Sequence, residues 1–118
     1  MDLKEKIEKH QKTLSKYIKM LANEYNNSLG NTMKYQAVID LNGNHFQLMK
    51  MGWYKDLYSF SILFHLDIHP KTGNIWIQQN NTEIELDVEL AHFDIPKEHL
   101  VLGFRPEYVR EWSDYAIA

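Results

Sequence analysis

The first 26 residues place apolar and charged side chains at the spacing of an α-helix. At about 100° per residue, the apolar side chains fall within one narrow arc. They are Leu3, Ile7, Leu14, Ile18, Leu21 and Tyr25. Four lysines lie on the opposite side: Lys9, Lys12, Lys16 and Lys19. The pattern predicts an amphipathic helix with one buried stripe, and Asn26 to Gly30 predict its end.

From residue 33 onward the apolar positions follow the period of two that is typical of β-strands. This pattern predicts four strands, at residues 33–40, 45–54, 57–69 and 74–79. Asn42-Gly43 is a strong hairpin signal because both residues tolerate positive φ. Lys55-Asp56 permits a second tight turn, and Gly73 is suited to a third. We therefore expect an antiparallel meander whose apolar face is covered by the first helix.

The third predicted strand shows the clearest alternation. One face carries Tyr58, Phe60, Ile62, Phe64, Leu66 and Ile68. The other carries Ser59, Ser61, His65, Asp67 and His69. We therefore expect the first set in the core and the second set on the opposite side of the sheet.

The segment after the fourth strand supports two interpretations. Residues 83–90 alternate like a strand, but Thr82 and Glu85 have the spacing of a helix capping box, so we favour a helix. Pro96 can open a short turn, and residues 107–112 predict a short helix. The apolar end, residues 115–118, predicts a tail held in the sheet or at an interface. The predicted fold is α+β, with a long N-terminal helix packed on a four-stranded antiparallel meander and short C-terminal helices.

Composition narrows the class of protein. With 118 residues, 44% of them hydrophobic, the chain fits one globular domain over residues 1–118. It has no cysteine, which excludes disulfides, thiolate zinc sites and cysteine nucleophiles and fits a cytoplasmic protein. No apolar run approaches the ~20 residues of a membrane span. The net charge of −3 gives no overall attraction to nucleic acid.

The lysines of the first helix invite a nucleic-acid hypothesis. Glu5 precedes Lys9 by four residues and Glu8 precedes Lys12 by four, the favourable order for helical ion pairs. We therefore favour a solvated face. The alternative is a stripe that contacts phosphates, for which Lys9, Lys12, Lys16 and Lys19 are the candidates.

His65, Asp67 and His69 share a strand face and could suggest a metal site. Same-face neighbours lie ~6.5 Å apart, so His65 and His69 are ~13 Å apart, while zinc holds each ligand near ~2 Å. One ion could take His65 and Asp67 but not all three without a bend. We expect a His65–Asp67 hydrogen bond or a polar interface, with no metal and no cofactor.

Catalytic patterns are weak. Glu83, Glu85 and Asp87 are better explained by helix capping and the helix dipole than by paired-carboxylate catalysis. The serines form no Gly-x-Ser-x-Gly motif, and the glycines form no phosphate-binding loop. We expect a protein without catalytic residues.

The aromatic residues of the strands allow three interpretations. Trp53 and Trp76, with Tyr54 and Tyr58, could stack on single-stranded nucleic acid, but few lysines accompany them, so we favour core packing over a protein interface. The second strand is apolar on both faces, so each face requires a cover. The first helix can cover one face, and the C-terminal segment or a second subunit must cover the other. Arg110 suits an ion pair with an acid, and we favour a partner in the same chain.

A series of short motifs, in order from about Tyr35 to the end, resembles the XisI family. The motifs are Phe46-Gln47-Leu48, Gly52-Trp53, His65-Leu66-Asp67-Ile68, Gly73-Asn74-Ile75-Trp76-Ile77-Gln78, Thr82-Glu83, Ile95-Pro96-Lys97-Glu98, Leu100-Val101-Leu102-Gly103-Phe104, Arg110 and Ala116-Ile117-Ala118. Each motif alone carries little information, but the ordered set at matching spacing is specific.

The resemblance implies a controlling factor for excision of the fdxN DNA element. It implies action beside a recombinase and a companion protein, XisH, whose relatives look nuclease-related. It also implies a small α+β domain that self-associates, so we expect a homodimer. The candidate interface residues are Trp53, His65, Asp67, Trp76, Gln78, Glu83 and Arg110.

Overall fold

The computed structural model describes residues 1–118 as helices and one mixed sheet. The elements are α1 (Leu3–Asn26), β1 (Met33–Asp40), β2 (His45–Tyr54), β3 (Leu57–Ile68), β4 (Ile75–Asn80), α2 (Leu86–Ala91), β5 (Leu100–Leu102) and α3 (Glu107–Arg110). A 3-10 turn at Lys97–His99 precedes β5, as the position of Pro96 predicted.

Helix α1 has the predicted bounds. Asp2 caps its start, because the Asp2 carboxylate accepts a hydrogen bond of 2.8 Å from the backbone of Glu5. Leu14, Ile18 and Leu21 are buried as expected, whereas Leu3 is 42% exposed. The buried side also includes His10, Tyr17 and Ala22, which widens the predicted stripe.

His10 is the buried polar side chain of this helix, with no exposed surface. Its Nε2 lies 3.2 Å from Nδ1 of His99, and its own Nδ1 has no hydrogen-bond partner. Burial lowers the pKa of His10 to about 4, helped by His99, Lys9 and Lys6. His10 is therefore held as a neutral imidazole near neutral pH.

The sheet has five strands in the order β1-β2-β3-β4-β5. Strands β1 to β4 form the predicted antiparallel meander, but β5 pairs with β4 in parallel. The prediction of a four-stranded antiparallel sheet was therefore wrong in its last strand. Leu100 and Val101 are both fully buried, so β5 lacks the alternation by which strands are recognised.

The hairpin turns differ from the prediction in one place. Lys55, with φ of 56°, forms the expected tight turn between β2 and β3. In the first hairpin the residue with positive φ is Asn44 (60°), not Gly43, because the connection has four residues instead of two. Gly43 is needed for space: a Cβ there would lie 2.8 Å from the His45 ring.

A bulge at Leu63 changes which face of the sheet the first half of β3 presents. Leu48 pairs with Phe64 and Met49 pairs with Ile62, so Leu63 is the extra residue. Leu63 and Phe64 both pack toward the core. The alternation therefore reverses, and the expected single apolar face of β3 was wrong for Tyr58, Phe60 and Ile62. These three turn away from the core and are exposed.

The core lies between α1, α2 and the inner face of the sheet. Its sixteen residues are Leu14, Tyr17, Ile18, Leu21, Ala22, Phe46, Leu48, Phe64, Leu66, Ile68, Ile75, Ile77, Leu86, Leu90, Ile95 and Leu100. Complete burial of one such aliphatic side chain contributes roughly 1.5–3 kcal/mol. We call the opposite side of the sheet, which α1 does not cover, the outer face.

Helix α2 starts later than predicted. Thr82 does not cap it: its hydroxyl donates to Asn80 Oδ1 (2.6 Å) and accepts from the backbone of Ile84 (3.1 Å). These bonds form a turn, so the helix begins at Leu86 and the capping box is absent. The helix turns its apolar side inward, since Leu86 and Leu90 are buried and Phe93 packs against the core.

The C-terminal residues are held in place as predicted. Ala116 forms a parallel bridge with Val101, and its amide donates to Leu100 O at 2.8 Å. The buried Asn74 side chain donates to the carbonyl of Ala118 at 2.6 Å. Helix α3 is shorter than the expected 107–112. None of the helices combines the length and apolarity that a membrane crossing requires.

Candidate functional site

The outer face brings together side chains from β2, β3 and β4 because the registers align them across three strands. It carries His45, Gln47, Met49, Met51 and Trp53 on β2, Tyr58, Phe60, Ile62, His65 and Asp67 on β3, and Trp76 and Gln78 on β4. The end near the β2–β3 turn is apolar, and the end near the β1–β2 turn is polar. Five of the seven candidate interface residues lie on this one surface.

At the apolar end, four large side chains are exposed. Trp53 and Phe60 are 61% exposed, Tyr58 is 54% exposed and Ile62 is 37% exposed. The rings of Trp53 and Tyr58 lie 5.0 Å apart, centroid to centroid. We call these four residues the apolar patch. The expected core packing of Trp53 and Tyr58 was wrong because the bulge at Leu63 and the β2–β3 register place them on the outer face.

At the polar end, Asp67 accepts hydrogen bonds from residues of three strands, β2, β3 and β4. Its Oδ1 lies 2.7 Å from His65 Nε2 and 2.6 Å from His45 Nδ1. Gln78 Nε2 donates to Asp67 Oδ2 at 3.1 Å, and Gln47 Nε2 lies 2.7 Å from His65 Nδ1. We call these five residues the polar network. It includes the expected His65–Asp67 hydrogen bond, whereas His69 takes no part.

The charge of this network is concentrated on one carboxylate. Burial alone would raise the pKa of Asp67, but hydrogen bonds from His45, His65 and Gln78 outweigh it and hold the pKa below its usual value. The hydrogen bond to Asp67 raises the pKa of His45. The network thus keeps an ionised carboxylate between two imidazoles on an accessible surface.

Trp76 connects the outer face to the C-terminal segment. The Arg110 guanidinium lies 5.0 Å from the centre of the Trp76 ring, a cation–π distance. Arg110 also donates to Ile117 O (2.8 Å) and to Arg105 O (2.7 Å). Within the chain, its partners are carbonyl groups and a ring, not the expected acid.

Glu83 lies apart from the outer face. It is exposed in the segment between β4 and α2, beside Val88 and Glu89. The lysine candidates are also separate. Lys9 donates to Asp94 O at 2.9 Å, and the expected ion pairs from Glu5 and Glu8 do not form. The remaining lysines line a groove of about 550 Å³ beside the β1–β2 turn: Lys12, Lys16 and Lys19.

Comparison with known protein families identifies the family to which the chain belongs. The XisI protein family model matches residues 4–117 of the chain. The chain belongs to the XisI family. The XisI match includes α1, which the resemblance by motifs did not reach.

Two solved XisI structures have the same fold. A XisI-like protein from Anabaena variabilis is 30% identical, with a TM-score of 0.73, and the match covers 99% of this chain and 100% of that one. The fdxN element excision controlling factor XisI from the same organism is 26% identical, with a TM-score of 0.72, covering 96% and 99%. No curated protein matches the chain.

Sequence reasoning missed His45 in this XisI-family chain. The signal was available: a hairpin register places β2 residues opposite β3 residues, and His45 pairs directly with Asp67. Spacing along β3 alone pointed to His69, which lies just beyond the end of β3 and takes no part in the polar network. Cross-strand pairing, and not spacing along one strand, assembles the polar network.

Proposed function

We propose that this chain is a controlling factor for the excision of a DNA element, acting in the cytoplasm without catalysing a reaction itself. Membership of the XisI family supports this, together with a related structure that is named an fdxN element excision controlling factor. The chemistry of DNA cleavage and joining would then belong to other proteins of the same system.

The proposed mode of action is binding to an XisH-like, nuclease-related protein through the outer face. The observation that carries this proposal is the apolar patch. Trp53, Tyr58 and Phe60 are each more than half exposed, and exposed clusters of large aromatic side chains mark protein interfaces. The polar network borders the patch and would supply directional hydrogen bonds at its rim. We also expect the chain alone to form a homodimer.

Co-expression with an XisH-like companion, followed by size-exclusion light scattering, tests this proposal. We expect co-elution at a defined stoichiometry. Replacing Trp53→Ser with Phe60→Ser removes two anchors of the patch and should abolish co-elution. The matched control is Trp112→Ser, because Trp112 is 89% exposed but lies in the C-terminal segment.

The outcome has three distinct readings. Co-elution lost only in the patch variant supports binding through the outer face. Co-elution kept in the patch variant, with melting unchanged, contradicts that surface. A wild-type chain that elutes alone contradicts the companion itself, and light scattering of that peak then measures whether the chain is a homodimer.

A second candidate function is direct contact with DNA by the basic groove. Lys12, Lys16 and Lys19 line it together with Glu8, and neither Glu5 nor Glu8 forms an ion pair with these lysines. Binding at low salt that weakens as salt rises would support this function. Lys16→Ala with Lys19→Ala should reduce that binding, whereas Lys55→Ala with Lys71→Ala, an equal charge change at exposed turns, should leave it unchanged.

A further inference from the structure

We propose that His45, His65 and Asp67 bind one divalent transition-metal ion of the zinc class. One ring nitrogen of each histidine and a carboxylate oxygen of Asp67 all lie within 4.8 Å of one another. The inference needs neither the proposed partner nor excision control to be correct.

The strand geometry explains how three ligands converge. His65 and Asp67 are two residues apart on β3 and therefore share the outer face. His45 pairs directly opposite Asp67 on β2, at the close separation of cross-strand neighbours. Along β3 alone, the third ligand would have to be His69, which lies ~13 Å from His65. The cross-strand histidine removes that requirement, so no bend is needed.

The ligand set selects the class of ion. Zinc binds imidazole nitrogen and carboxylate oxygen at about 2.0–2.2 Å, commonly with three protein ligands and one open position. Ligand atoms within 4.8 Å of one another can surround such an ion after small side-chain rotations. Two imidazoles favour zinc, cobalt or nickel over magnesium and calcium, which prefer oxygen ligands only.

Binding would require both histidines to change tautomer. In the hydrogen-bonded arrangement, His45 Nδ1 and His65 Nε2 donate to Asp67 Oδ1. The ion needs both of these nitrogens unprotonated, so each neutral imidazole must carry its proton on the other ring nitrogen, Nε2 in His45 and Nδ1 in His65. The Gln47 side-chain amide, 2.7 Å from His65 Nδ1, can rotate so that its oxygen accepts a hydrogen bond from that N–H. Gln78 holds the other oxygen of Asp67. Such outer hydrogen bonds orient metal ligands.

The site is accessible and has room. The His45 side chain is 53% exposed, and those of His65 and Asp67 are each 24% exposed. A cavity of about 280 Å³ adjoins His45 and Asp67, lined also by Trp76 and Gln78. Gly43 leaves space for the His45 ring, since a Cβ there would lie 2.8 Å from it. An ion can enter from solvent without opening the core.

Calorimetric titration of the chelator-treated, tag-free protein with Zn²⁺ tests the site. We expect one ion per chain at a micromolar dissociation constant or tighter, and a tetrahedral absorption spectrum with Co²⁺. His65→Gln and Asp67→Asn should each weaken binding by at least about tenfold. Mg²⁺ should not compete.

One variant serves as the control, and either of two results would overturn the site. His99→Gln removes the other imidazole pair, in which His10 Nε2 and His99 Nδ1 are 3.2 Å apart, and should leave Zn²⁺ binding unchanged. If His99→Gln abolishes binding, or if His65→Gln does not weaken it, the proposed site is overturned. His45→Gln, at the most exposed ligand, repeats the test should either other variant fail to fold.

Discussion

The buried His10 predicts a specific loss of stability in acid. Its pKa is about 4 in the folded chain and 6.5 when unperturbed. The unfolded chain therefore binds more protons below pH 6.5, so stability falls as the pH falls from 6.5 toward 4. From these two pKa values, the free energy of unfolding at pH 5 should be about 2 kcal/mol lower than at pH 8. The loss is complete below about pH 4, where both states are protonated.

The variant His10→Leu isolates this effect. Leucine removes the titrating imidazole and the buried Nδ1 that has no partner. It suits the helix and the apolar surroundings, so at pH 8 we expect stability within about 1.5 kcal/mol of the wild type. Between pH 8 and pH 5, the variant should lose about 2 kcal/mol less than the wild type.

Urea denaturation followed by circular dichroism at pH 8, 7, 6 and 5 measures both free energies. The difference between the two proteins cancels the titration of shared groups distant from residue 10, including the opposite contribution of His45, whose pKa is raised. His92→Leu replaces an exposed histidine and should keep the wild-type pH dependence. If His10→Leu and the wild type lose equal stability by pH 5, the neutral, buried state of His10 is refuted.

Two further predictions compare matched variants by urea denaturation. Leu90→Ala, at a fully buried position, should lower the free energy of unfolding by about 2–5 kcal/mol. Val88→Ala, at a 47% exposed position of the same helix, should change it by no more than about 0.5 kcal/mol. Equal losses would contradict the assigned buried side of α2. Gly30→Ala should cost about 1 kcal/mol for its positive φ alone, because nothing lies within 4 Å of the new Cβ. Gly73→Ala should cost more, since its Cβ would lie 2.9 Å from Lys6 Cδ; a smaller loss there would refute this packing argument.

The parts of this fold that the sequence predicts are those determined by residues close together along the chain. The stripe of α1 and the turn at Lys55 are local signals, and both are confirmed. Strand β5 was missed because three buried residues give no periodic pattern and its partner β4 is distant in sequence. The polar network was half predicted. His65 and Asp67 share a strand, but His45 joins them only through a register that one strand cannot show.

The bulge at Leu63 decides which side of the sheet the first half of β3 presents, because it shifts the alternation by one residue. If Leu63 had a partner in regular register, Ile62, Phe60 and Tyr58 would alternate in phase with Phe64 and point inward. The binding surface would then disappear although every aromatic residue remained. Among related chains, one residue inserted in β2 opposite Leu63 would supply that partner and remove the surface in one step, whereas deletion of Leu63 would keep the present pairs and the surface.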